Sequence, residues 1–359
     1  KIICSAQAYT YNAYHIVKAF YPAVEITNHV EEKASNYVEI NFSDGQVIAV
    51  EKEEIKAGTD AEKKAQIDKK LYEKLSEKSG KTLAWGILTG VRPTKLAMKK
   101  LEEGMESEAF VSWFRQTYLV SEEKARLAWE IAGREKKLLD RLDYEDGYSL
   151  YVGIPFCPTV CTYCSFSSGA LEDWKDFVDA YVEALCKELA FIGEVSKEKK
   201  LNSIYIGGGT PTSLNARQLE RILSCIDTHF SREYLLEYTV EAGRPDSITE
   251  EKLQVIKAHK VTRISINPQT MQQKTLDVIG RKHTVEDICR TYEMARSLGF
   301  DNINMDLIAG LPGETALDMK DTLEKIGRLQ PDSLTVHSLA IKRAAKMGQE
   351  VKAGQEEGR

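Results

Sequence analysis

The sequence has no long hydrophobic run and no excess of positive charge. Its 359 residues include 49 Lys and Arg against 55 Asp and Glu, which gives a formal net charge of −6. No stretch reaches the roughly 18 uninterrupted apolar residues that a membrane-spanning helix needs, so we expect no membrane insertion. The negative net charge argues against a nucleic-acid binder that works through bulk positive charge. With 42% hydrophobic and 29% charged residues, the composition is that of an ordinary globular protein.

Cysteine is scarce and unevenly placed. There are seven, an odd number that fits poorly with the paired disulfides of a secreted protein. The sequence also begins without a basic segment followed by an apolar one, so we expect a cytoplasmic protein. Four cysteines stand alone and are expected to be small buried packing residues: Cys4, Cys186, Cys225 and Cys289. The other three, Cys157, Cys161 and Cys164, lie close together.

From residue 149 onward, short apolar segments alternate with segments of helical periodicity. We predict six strands, at 149–156, 202–207, 236–241, 262–267, 302–308 and 332–338. Between them we predict five helices, at 173–192, 215–229, 249–259, 284–298 and 315–329. This alternation is typical of βαβ units and a parallel sheet. Because successive right-handed crossovers curl such a sheet, the predicted fold is α/β, a partial (β/α)6 TIM-like barrel.

The first 148 residues show a different pattern, which predicts an α+β leader domain. Strands are expected at 1–8, 37–42 and 46–50, with a hairpin turn at 43–45 between the last two. From about residue 60 to 142 the pattern is helical and charged, and the uncharged run 85–95 within it is predicted as a packed turn. We therefore predict a leader and helical connector at 1–148, a barrel at 149–343, and the start of a truncated C-terminal region at 344–359. The polar tail after residue 346 is expected to fray.

The three neighbouring cysteines follow directly on the first predicted barrel strand. Their thiolates are soft ligands that suit zinc or iron–sulfur clusters. A structural zinc site needs four ligands, and no fourth Cys or His lies near Cys157, Cys161 and Cys164 in the sequence. On a [4Fe–4S] cluster, three cysteines leave one iron open to a substrate or cofactor, which favours a catalytic cluster. A zinc knuckle and three unrelated thiols are the alternatives.

Glycine and polar residues follow the next four predicted strands. The run 206–212 reads Ile-Gly-Gly-Gly-Thr-Pro-Thr. Its glycines permit a close approach of ligand to backbone, and its N–H groups could bind a carboxylate or phosphate, although a tight turn is the simpler explanation in isolation. Glu241 ends the third strand, and polar segments at 264–269 and 304–314 accompany the fourth and fifth. Because loops after the strands form the active face of such a barrel, these segments predict one pocket around the cysteines.

In combination, these motifs resemble the radical S-adenosylmethionine (SAM) superfamily, whose signature is Cys-x-x-x-Cys-x-x-Cys on the first barrel loop. Three segments are similar to the oxygen-independent coproporphyrinogen III oxidase group: Leu-Tyr-Val-Gly-Ile-Pro-Phe-Cys at 150–157, Gly-Gly-Gly-Thr-Pro-Thr at 207–212 and Asp-Leu-Ile-Ala-Gly-Leu-Pro-Gly-Glu at 306–314. The leader and the run 335–343 resemble the coproporphyrinogen dehydrogenase branch of that group. The resemblance implies a radical SAM core over about residues 149–343.

The resemblance also implies roles for the matching residues. Cys157, Cys161 and Cys164 would hold a [4Fe–4S] cluster whose open iron SAM chelates, and Tyr151, taken as catalytic together with them, would lie beside SAM. The other implied SAM contacts are Tyr163 and the backbone of Ala340 at the adenine, Gly208, Gly209 and Thr210 at the methionine amino end, and Glu241, Gln269, Arg281 and Asp306 at matching intervals. Gln269 and Asp306 would hydrogen-bond the polar parts of SAM.

Two arginines have different expected roles. Arg281 would pair with the carboxylate of SAM, which suits the fork of donors on a guanidinium, and a surface ion pair is the alternative. Arg263 is expected to be a barrel-packing residue.

Two positions depart from the family's pattern. Gly153 stands where the best-known members have His, and Ser165-Phe166 stands where they carry a further Cys. The resemblance therefore does not imply that this chain handles protons and electrons around a second SAM as those members do. The family's C-terminal domain, which helps to cover the substrate, would begin near Lys342.

The implied activity is that of a radical SAM oxidoreductase in haem biosynthesis. A reduced cluster would split one or two molecules of SAM into methionine and a 5′-deoxyadenosyl radical, which takes a hydrogen atom from a propionate of coproporphyrinogen III. Loss of carbon dioxide then leaves the vinyl groups of protoporphyrinogen IX. The expected partners are the tetrapyrrole and an electron donor such as flavodoxin or ferredoxin, with no nucleic acid and no membrane, and we expect a monomer. The alternatives are a radical SAM methyltransferase acting on haem and a haem carrier or chaperone that retains the cluster.

Overall fold

The computed structural model describes residues 1–88, 92–342 and 344–352. The chain divides into two compact units, Lys1–Arg141 and Leu142–Arg359. The predicted domain boundaries at 148 and 343 stay predictions, and position 343, positions 353–359 and part of the turn predicted at 85–95 lie outside the described residues. None of the helices in the described residues combines the length and the apolar character that crossing a membrane requires.

The first unit combines a small sheet with helices. Its described elements are β1 (Ile2–Cys4), α1 (Gln7–Phe20), β2 (Asn28–Val30), β3 (Asn36–Asn41), β4 (Val47–Glu51), α2 (Asp60–Ser79), α3 (Pro93–Glu102), α4 (Ser107–Tyr118) and α5 (Glu122–Leu139). The strand order is β2-β1-β3-β4. β3 and β4 pair antiparallel around the turn, which confirms the predicted hairpin.

The strand predicted over 1–8 is wrong beyond Cys4, because α1 begins at Gln7. The buried apolar residues of α1 recur at helical spacing, at Ala13, Ile16, Val17 and Phe20. They pack into the same core as β1. The spacing of three to four residues between buried positions therefore predicts the structure of this segment better than the apolar character of its first few residues.

The second unit is built on a six-stranded parallel sheet. Its strands, with two short ones beside the sheet, are β5 (Gly147–Ile154), β6 (Phe156–Cys157), β7 (Gly169–Ala170), β8 (Lys200–Gly208), β9 (Glu237–Gly243), β10 (Arg263–Gln269), β11 (Ile303–Ala309) and β12 (Ser333–Ser338). The order in the large sheet is β12-β11-β10-β9-β8-β5, and each neighbouring pair is parallel. This confirms the predicted α/β fold, and a partial TIM-like barrel is consistent with it.

Helices connect consecutive strands of the large sheet. They are α6 (Leu171–Trp174), α7 (Val178–Val195), α8 (Ala216–His229), α9 (Glu250–Ala258), α10 (Gln273–Val278), α11 (Val285–Ser297) and α12 (Ala316–Leu329), while α13 (Lys346–Lys352) follows β12. The five predicted helices correspond to α7, α8, α9, α11 and α12, and α10 lies outside all of them. The tail expected to fray after residue 346 is instead helical as far as Lys352.

Polar caps set the starts of the helices that pack on this sheet. The Asn215 side chain accepts a hydrogen bond from Gln218 N at 2.9 Å, and the Gln218 side chain accepts one from Asn215 N at 3.0 Å. Thr284 and Thr315 begin α11 and α12 with the same reciprocal arrangement. The buried face of α8 packs on the sheet through Leu219, Ile222, Leu223 and Ile226. Because the strands are parallel, their carboxyl ends share one edge of the sheet, where the connecting loops gather.

The four isolated cysteines differ in burial. Cys4 is buried, as predicted, whereas Cys186, Cys225 and Cys289 are only half-buried. The Cys225 thiol donates to the backbone carbonyl of Cys186 at 3.4 Å, across the neighbouring helices α7 and α8. Only Cys4 is therefore the fully buried packing residue that the sequence predicts.

Replacing Asn215 with alanine tests the cap of α8. The Asn215→Ala variant loses the acceptor for Gln218 N, so we expect its free energy of unfolding to fall by about 1 kcal/mol. Asn215→Asp keeps an acceptor at the same place and serves as the matched control, with little expected change. Urea denaturation followed by circular dichroism makes the comparison. An alanine variant as stable as the aspartate variant would contradict this role for Asn215.

Candidate functional site

The cysteine loop lies beside the glycine run because β5 and β8 are neighbours. Their parallel register pairs Ile154 with Gly208. Gly209 N then donates to Ile154 O at 2.7 Å, and Thr210 N donates to Phe156 O at 2.7 Å. These two amides are used inside the fold and are not free for a carboxylate or phosphate ligand. The bonds instead join the glycine run to the residue before the first cysteine.

The close approach of these two segments requires glycine at two positions. Gly208 has a φ of +107°, a backbone conformation that residues with side chains rarely adopt. A Cβ on Gly209 would lie 2.7 Å from Phe156 O and 3.0 Å from Cys157 Sγ. The glycine run therefore forms a tight turn, and it also forms one side of the candidate site.

A cavity of about 660 Å³ lies around the cysteine loop. Its wall contains all but one of the predicted site residues: Cys157, Cys161, Tyr163, Cys164, Gly208, Gly209, Thr210, Glu241, Gln269, Arg281, Asp306 and Ala340. The exception is Tyr151, which does not line the cavity and is 62% exposed. The structure thus brings together residues that lie far apart in the sequence, and their individual roles stay predictions.

Tyr151 lies at the edge of the site in a stacked pair of aromatic rings. Its ring is parallel to that of Tyr205, with centroids 6.0 Å apart and planes inclined by 10°. A Cβ on Gly208 would lie 3.5 Å from the Tyr151 hydroxyl, so that hydroxyl reaches the glycine run. Tyr205 in turn donates a short hydrogen bond to Glu241 Oε1. Tyr151 is therefore connected to the cavity wall through Tyr205 and Glu241.

The pKa values of this tyrosine–carboxyl pair are shifted upward. Burial raises the pKa of Glu241, and the Asp306 carboxylate raises it further, against the lowering effect of the Tyr205 hydrogen bond. Burial and then the bond to Glu241 raise the pKa of the Tyr205 hydroxyl. Glu241 therefore keeps a proton to a higher pH than an exposed glutamate does, and the hydroxyl of Tyr205 stays protonated.

Two buried polar groups in the cavity wall have unused hydrogen-bonding atoms. Gln269 is 8% exposed and Arg281 is 6% exposed. Gln269 Oε1 and Arg281 Nε have no hydrogen-bond partner among the described residues. Buried polar atoms without a partner are rare because they are costly. Their position fits a polar ligand in the cavity.

Arg281 is not the surface ion pair considered as an alternative. Its guanidinium is buried and donates to the backbone carbonyl of Asn267 and, at 3.5 Å, to the Tyr163 hydroxyl. Burial lowers the pKa of Arg281, but Tyr163 and Cys161 outweigh that effect and raise it. Arg281 therefore stays charged within the wall.

The backbone at Gln269 is unusual. Its φ is +69°, and the register between β10 and β11 shifts between Ile266 and Gln269. A residue with a side chain in this conformation carries strain of about 1–3 kcal/mol, and such residues cluster at functional sites. The strained position brings the amide of Gln269 to the cavity wall.

The three thiols of the cysteine loop lie in the wall of the cavity. Cys157 and Cys161 are buried, Cys164 is half-buried, and all three line the cavity. Burial raises the pKa of the Cys164 thiol, as do Cys161 and Cys157, so a metal must displace its proton.

Sequence reasoning missed Arg244 and underestimated Arg263. Arg244 follows β9, is 3% exposed and lines the cavity. Its sequence signal is the run Glu-Ala-Gly-Arg-Pro at 241–245, in which Gly243, with a φ of +76°, turns the chain as the strand ends. Arg263, expected only to pack, also lines the cavity and donates to Ser333 Oγ at 3.1 Å.

Comparison with known proteins finds one matching family and several relatives. The Radical SAM superfamily matches residues 151–326. The oxygen-independent coproporphyrinogen-III oxidase-like protein HemZ of Bacillus subtilis (strain 168) is 45% identical over 277 residues, which are 76% of this chain and 55% of that protein. The heme chaperone HemW of the same strain is 36% identical over 194 residues, 54% of this chain and 50% of that protein. The chain thus spans about half the length of these two relatives.

A solved structure shares part of the fold of this chain. Coproporphyrinogen III oxidase (HemN) from Escherichia coli, described as a radical SAM enzyme, aligns with a TM-score of 0.52 and 27% identity over 60% of this chain and 50% of its own. The matched family implies a [4Fe–4S] cluster and SAM, and the three thiols and the unpartnered polar atoms of the cavity fit both. Residues 151–326 belong to the radical SAM superfamily, and the chain is similar to the oxygen-independent coproporphyrinogen III oxidase-like proteins within it.

Proposed function

We propose that this chain carries the core of a cytoplasmic radical SAM oxidoreductase that decarboxylates propionate side chains of coproporphyrinogen III, giving protoporphyrinogen IX. The observation that carries the proposal is the cavity in which three thiols of one loop share a wall with polar residues from β9, β10 and β11. The 45% identity to a coproporphyrinogen-III oxidase-like protein supports a tetrapyrrole substrate.

In this proposal, Cys157, Cys161 and Cys164 hold the cluster. When bound, the cluster and SAM supply the one-electron chemistry that removes a hydrogen atom from the substrate. The loop gives three thiolates and leaves one coordination position for SAM, and the buried setting of Cys157 and Cys161 shields that chemistry from water. An electron donor such as flavodoxin or ferredoxin completes the system, and we propose a monomer that needs neither nucleic acid nor membrane.

The polar residues of the wall orient SAM. Arg281 pairs with the carboxylate through its unpartnered Nε–H, and Gln269 accepts a hydrogen bond through its unpartnered Oε1. Asp306, whose Oδ1 accepts from Asn304 Nδ2 at 2.7 Å, binds a hydroxyl of the ribose. Tyr163 and the backbone of Ala340 contact the adenine.

The glycine run receives the other end of SAM. Its amides at Gly209 and Thr210 are already used, so it offers carbonyl oxygens, which suit the amino group of the methionine part. Tyr151 closes this side of the site.

Position 153 is glycine and not histidine, so other residues must donate and accept protons in this proposal. Gly153 has no side chain, and a Cβ there would lie 3.5 Å from Tyr151 Cε1, so the ring of Tyr151 occupies the adjoining space. Tyr205 and Glu241 share a hydrogen bond beside that ring and hold a proton. In our proposal this pair is the proton donor and acceptor at the edge of the site.

A second candidate function is that of a haem chaperone that retains the cluster. It is favoured by the relatives that carry this name, which are 36% and 38% identical to the chain in Bacillus subtilis and Lactococcus lactis. The coproporphyrinogen III oxidase of Escherichia coli (strain K12) is 30% identical over a similar length.

An anaerobic assay separates these candidates. With reconstituted protein, SAM, a reductant and coproporphyrinogen III, we expect vinyl-bearing product and 5′-deoxyadenosine in amounts that depend on the substrate. Stoichiometric haem binding without substrate-linked cleavage of SAM would support the chaperone instead. A methylated tetrapyrrole with S-adenosylhomocysteine would identify a methyltransferase, and either result would contradict the decarboxylase.

Cys161→Ala tests the cluster independently of any substrate. After anaerobic reconstitution we expect about four iron and four sulfide per wild-type chain, and a large loss in the variant, because two cysteines do not hold the cluster stably. Cys225→Ala removes a cysteine that does not line the cavity, and it should keep the wild-type content. One zinc per chain in place of iron would overturn the assignment.

Arg281→Lys tests the SAM site. Lysine keeps the charge but lacks the planar fork, so we expect affinity for SAM to fall by about tenfold, the effect of one lost charge-assisted hydrogen bond. Arg290→Lys, on the outer part of α11, is the matched control. Anaerobic calorimetric titration with SAM measures both, and equal affinities would remove Arg281 from the site.

A further inference from the structure

We propose that Arg244 is a positioning residue for the cysteine loop: its guanidinium holds residues 157–164 in the conformation that receives the cluster. The inference rests on the cluster-binding part of the proposed function and is independent of the tetrapyrrole chemistry. Arg244 is not one of the site residues predicted from the sequence, and it reaches the loop from the end of β9.

The guanidinium of Arg244 lies between a carboxylate and the loop. On one side, Nε and Nη2 donate to the two oxygens of Asp246, at 2.9 and 2.7 Å. On the other side, Nη1 donates to the backbone carbonyl and to the hydroxyl of Thr159, both at 2.8 Å. Nη1 also lies 3.9 Å from Cys161 Sγ. A single buried side chain thus contacts the loop at the residue between the first two cysteines and at the second cysteine itself.

Asp246 fixes the orientation of the Arg244 guanidinium. Asp246 binds Arg244 in the bidentate manner that only a guanidinium permits, and its side chain is 19% exposed. Burial would raise the pKa of Asp246, but His283 and Arg244 outweigh it and hold that pKa well below its usual range. His283 Nδ1 lies 3.5 Å from Asp246 Oδ1. The carboxylate therefore stays ionised, and the guanidinium cannot turn away from the loop without losing it.

The rest of the loop is fastened by weaker, neutral bonds. Thr159 Oγ1 donates to Gly280 O at 3.1 Å, and Thr162 N donates to Ile279 O at 3.2 Å. Met347 N donates to Thr162 O at 2.9 Å. Arg244 supplies charge-assisted bonds to this loop, which are roughly twice as strong as neutral ones. We therefore expect its removal to loosen the loop more than the loss of any of these neutral bonds.

A donor beside Cys161 also affects the bound cluster. Hydrogen bonds to the sulfurs and nearby positive charge stabilise the more negative, reduced form, and so raise the reduction potential. Loss of the guanidinium should shift the potential to a more negative value. A residue that acted only on overall stability would not produce this shift.

Arg244→Lys and Thr159→Val test the proposal in the cluster-free protein. Lysine cannot contact Asp246 and Thr159 with the same fork, and valine removes the hydroxyl but keeps the shape of threonine. Hydrogen exchange at the amides of Thr162 and Cys164, which are hydrogen-bonded in the loop, should accelerate by about tenfold in Arg244→Lys and by less in Thr159→Val. Thr159→Ser retains the hydroxyl and should exchange like the wild type.

The same variants are then compared after anaerobic reconstitution. In Arg244→Lys we expect faster loss of iron to a chelator, and in Arg244→Gln also a more negative midpoint potential by electron paramagnetic resonance titration. Arg296→Lys, whose guanidinium donates to the backbone carbonyls of Phe300 and Gln330, is the control for a general loss of stability. Unchanged loop exchange and iron loss in Arg244→Lys would overturn the proposal. A decarboxylase assay that fails, with these shifts present, would refute the proposed reaction and leave the role of Arg244 intact.

Discussion

The site depends on two backbone hydrogen bonds that join β5 and β6 to the glycine run at the end of β8. Gly209 N and Thr210 N donate to Ile154 O and Phe156 O, so the residue before Cys157 is held directly against the second strand. The contact tolerates no side chain at Gly209, whose Cβ would meet the backbone and the first thiol. Every other part of the site is arranged around this junction: the loop leaves it toward Arg244 and the turn at Ile279, and the cavity opens beside it.

The cavity places buried polar groups where a solid apolar core would be more stable. Gln269 and Arg281 each keep an atom without a partner among the described residues, and burial, followed by the nearby Asp306, raises the pKa of Glu241. These groups are unfavourable for folding by themselves, since burial without a partner costs free energy. The apolar face of the sheet and the helices packed on it, including those capped at Asn215, Thr284 and Thr315, offset that cost. The fold thus maintains a polar interior that a ligand can use.

The sequence predicts the sheet and most of the site because both rest on local patterns. Six apolar segments become six parallel strands, because alternate residues of the strands, such as Val240, Ile264 and Met305, pack into the apolar core. The cysteine spacing and the polar residues at strand ends likewise place the cavity. The predictions are wrong where contacts between residues far apart in the sequence determine the structure. The first residues form only a short strand because α1 packs against it, the amides of the glycine run are occupied by β5 and the segment after it, and Arg244 meets Thr159 across 85 positions of sequence.

The left-handed backbone of Gln269 has a thermodynamic consequence for any ligand of the cavity. Gln269 is only 8% exposed within the cavity wall, so packing restricts the orientation of its side chain before a ligand arrives. A flexible side chain at the same place would lose rotational freedom on each binding event, and affinity would fall accordingly. The backbone strain lowers the free energy of unfolding. Ligand binding then loses less side-chain entropy. A tightly bound ligand should therefore also raise the thermal stability of the second unit by satisfying an atom that folding leaves without a partner.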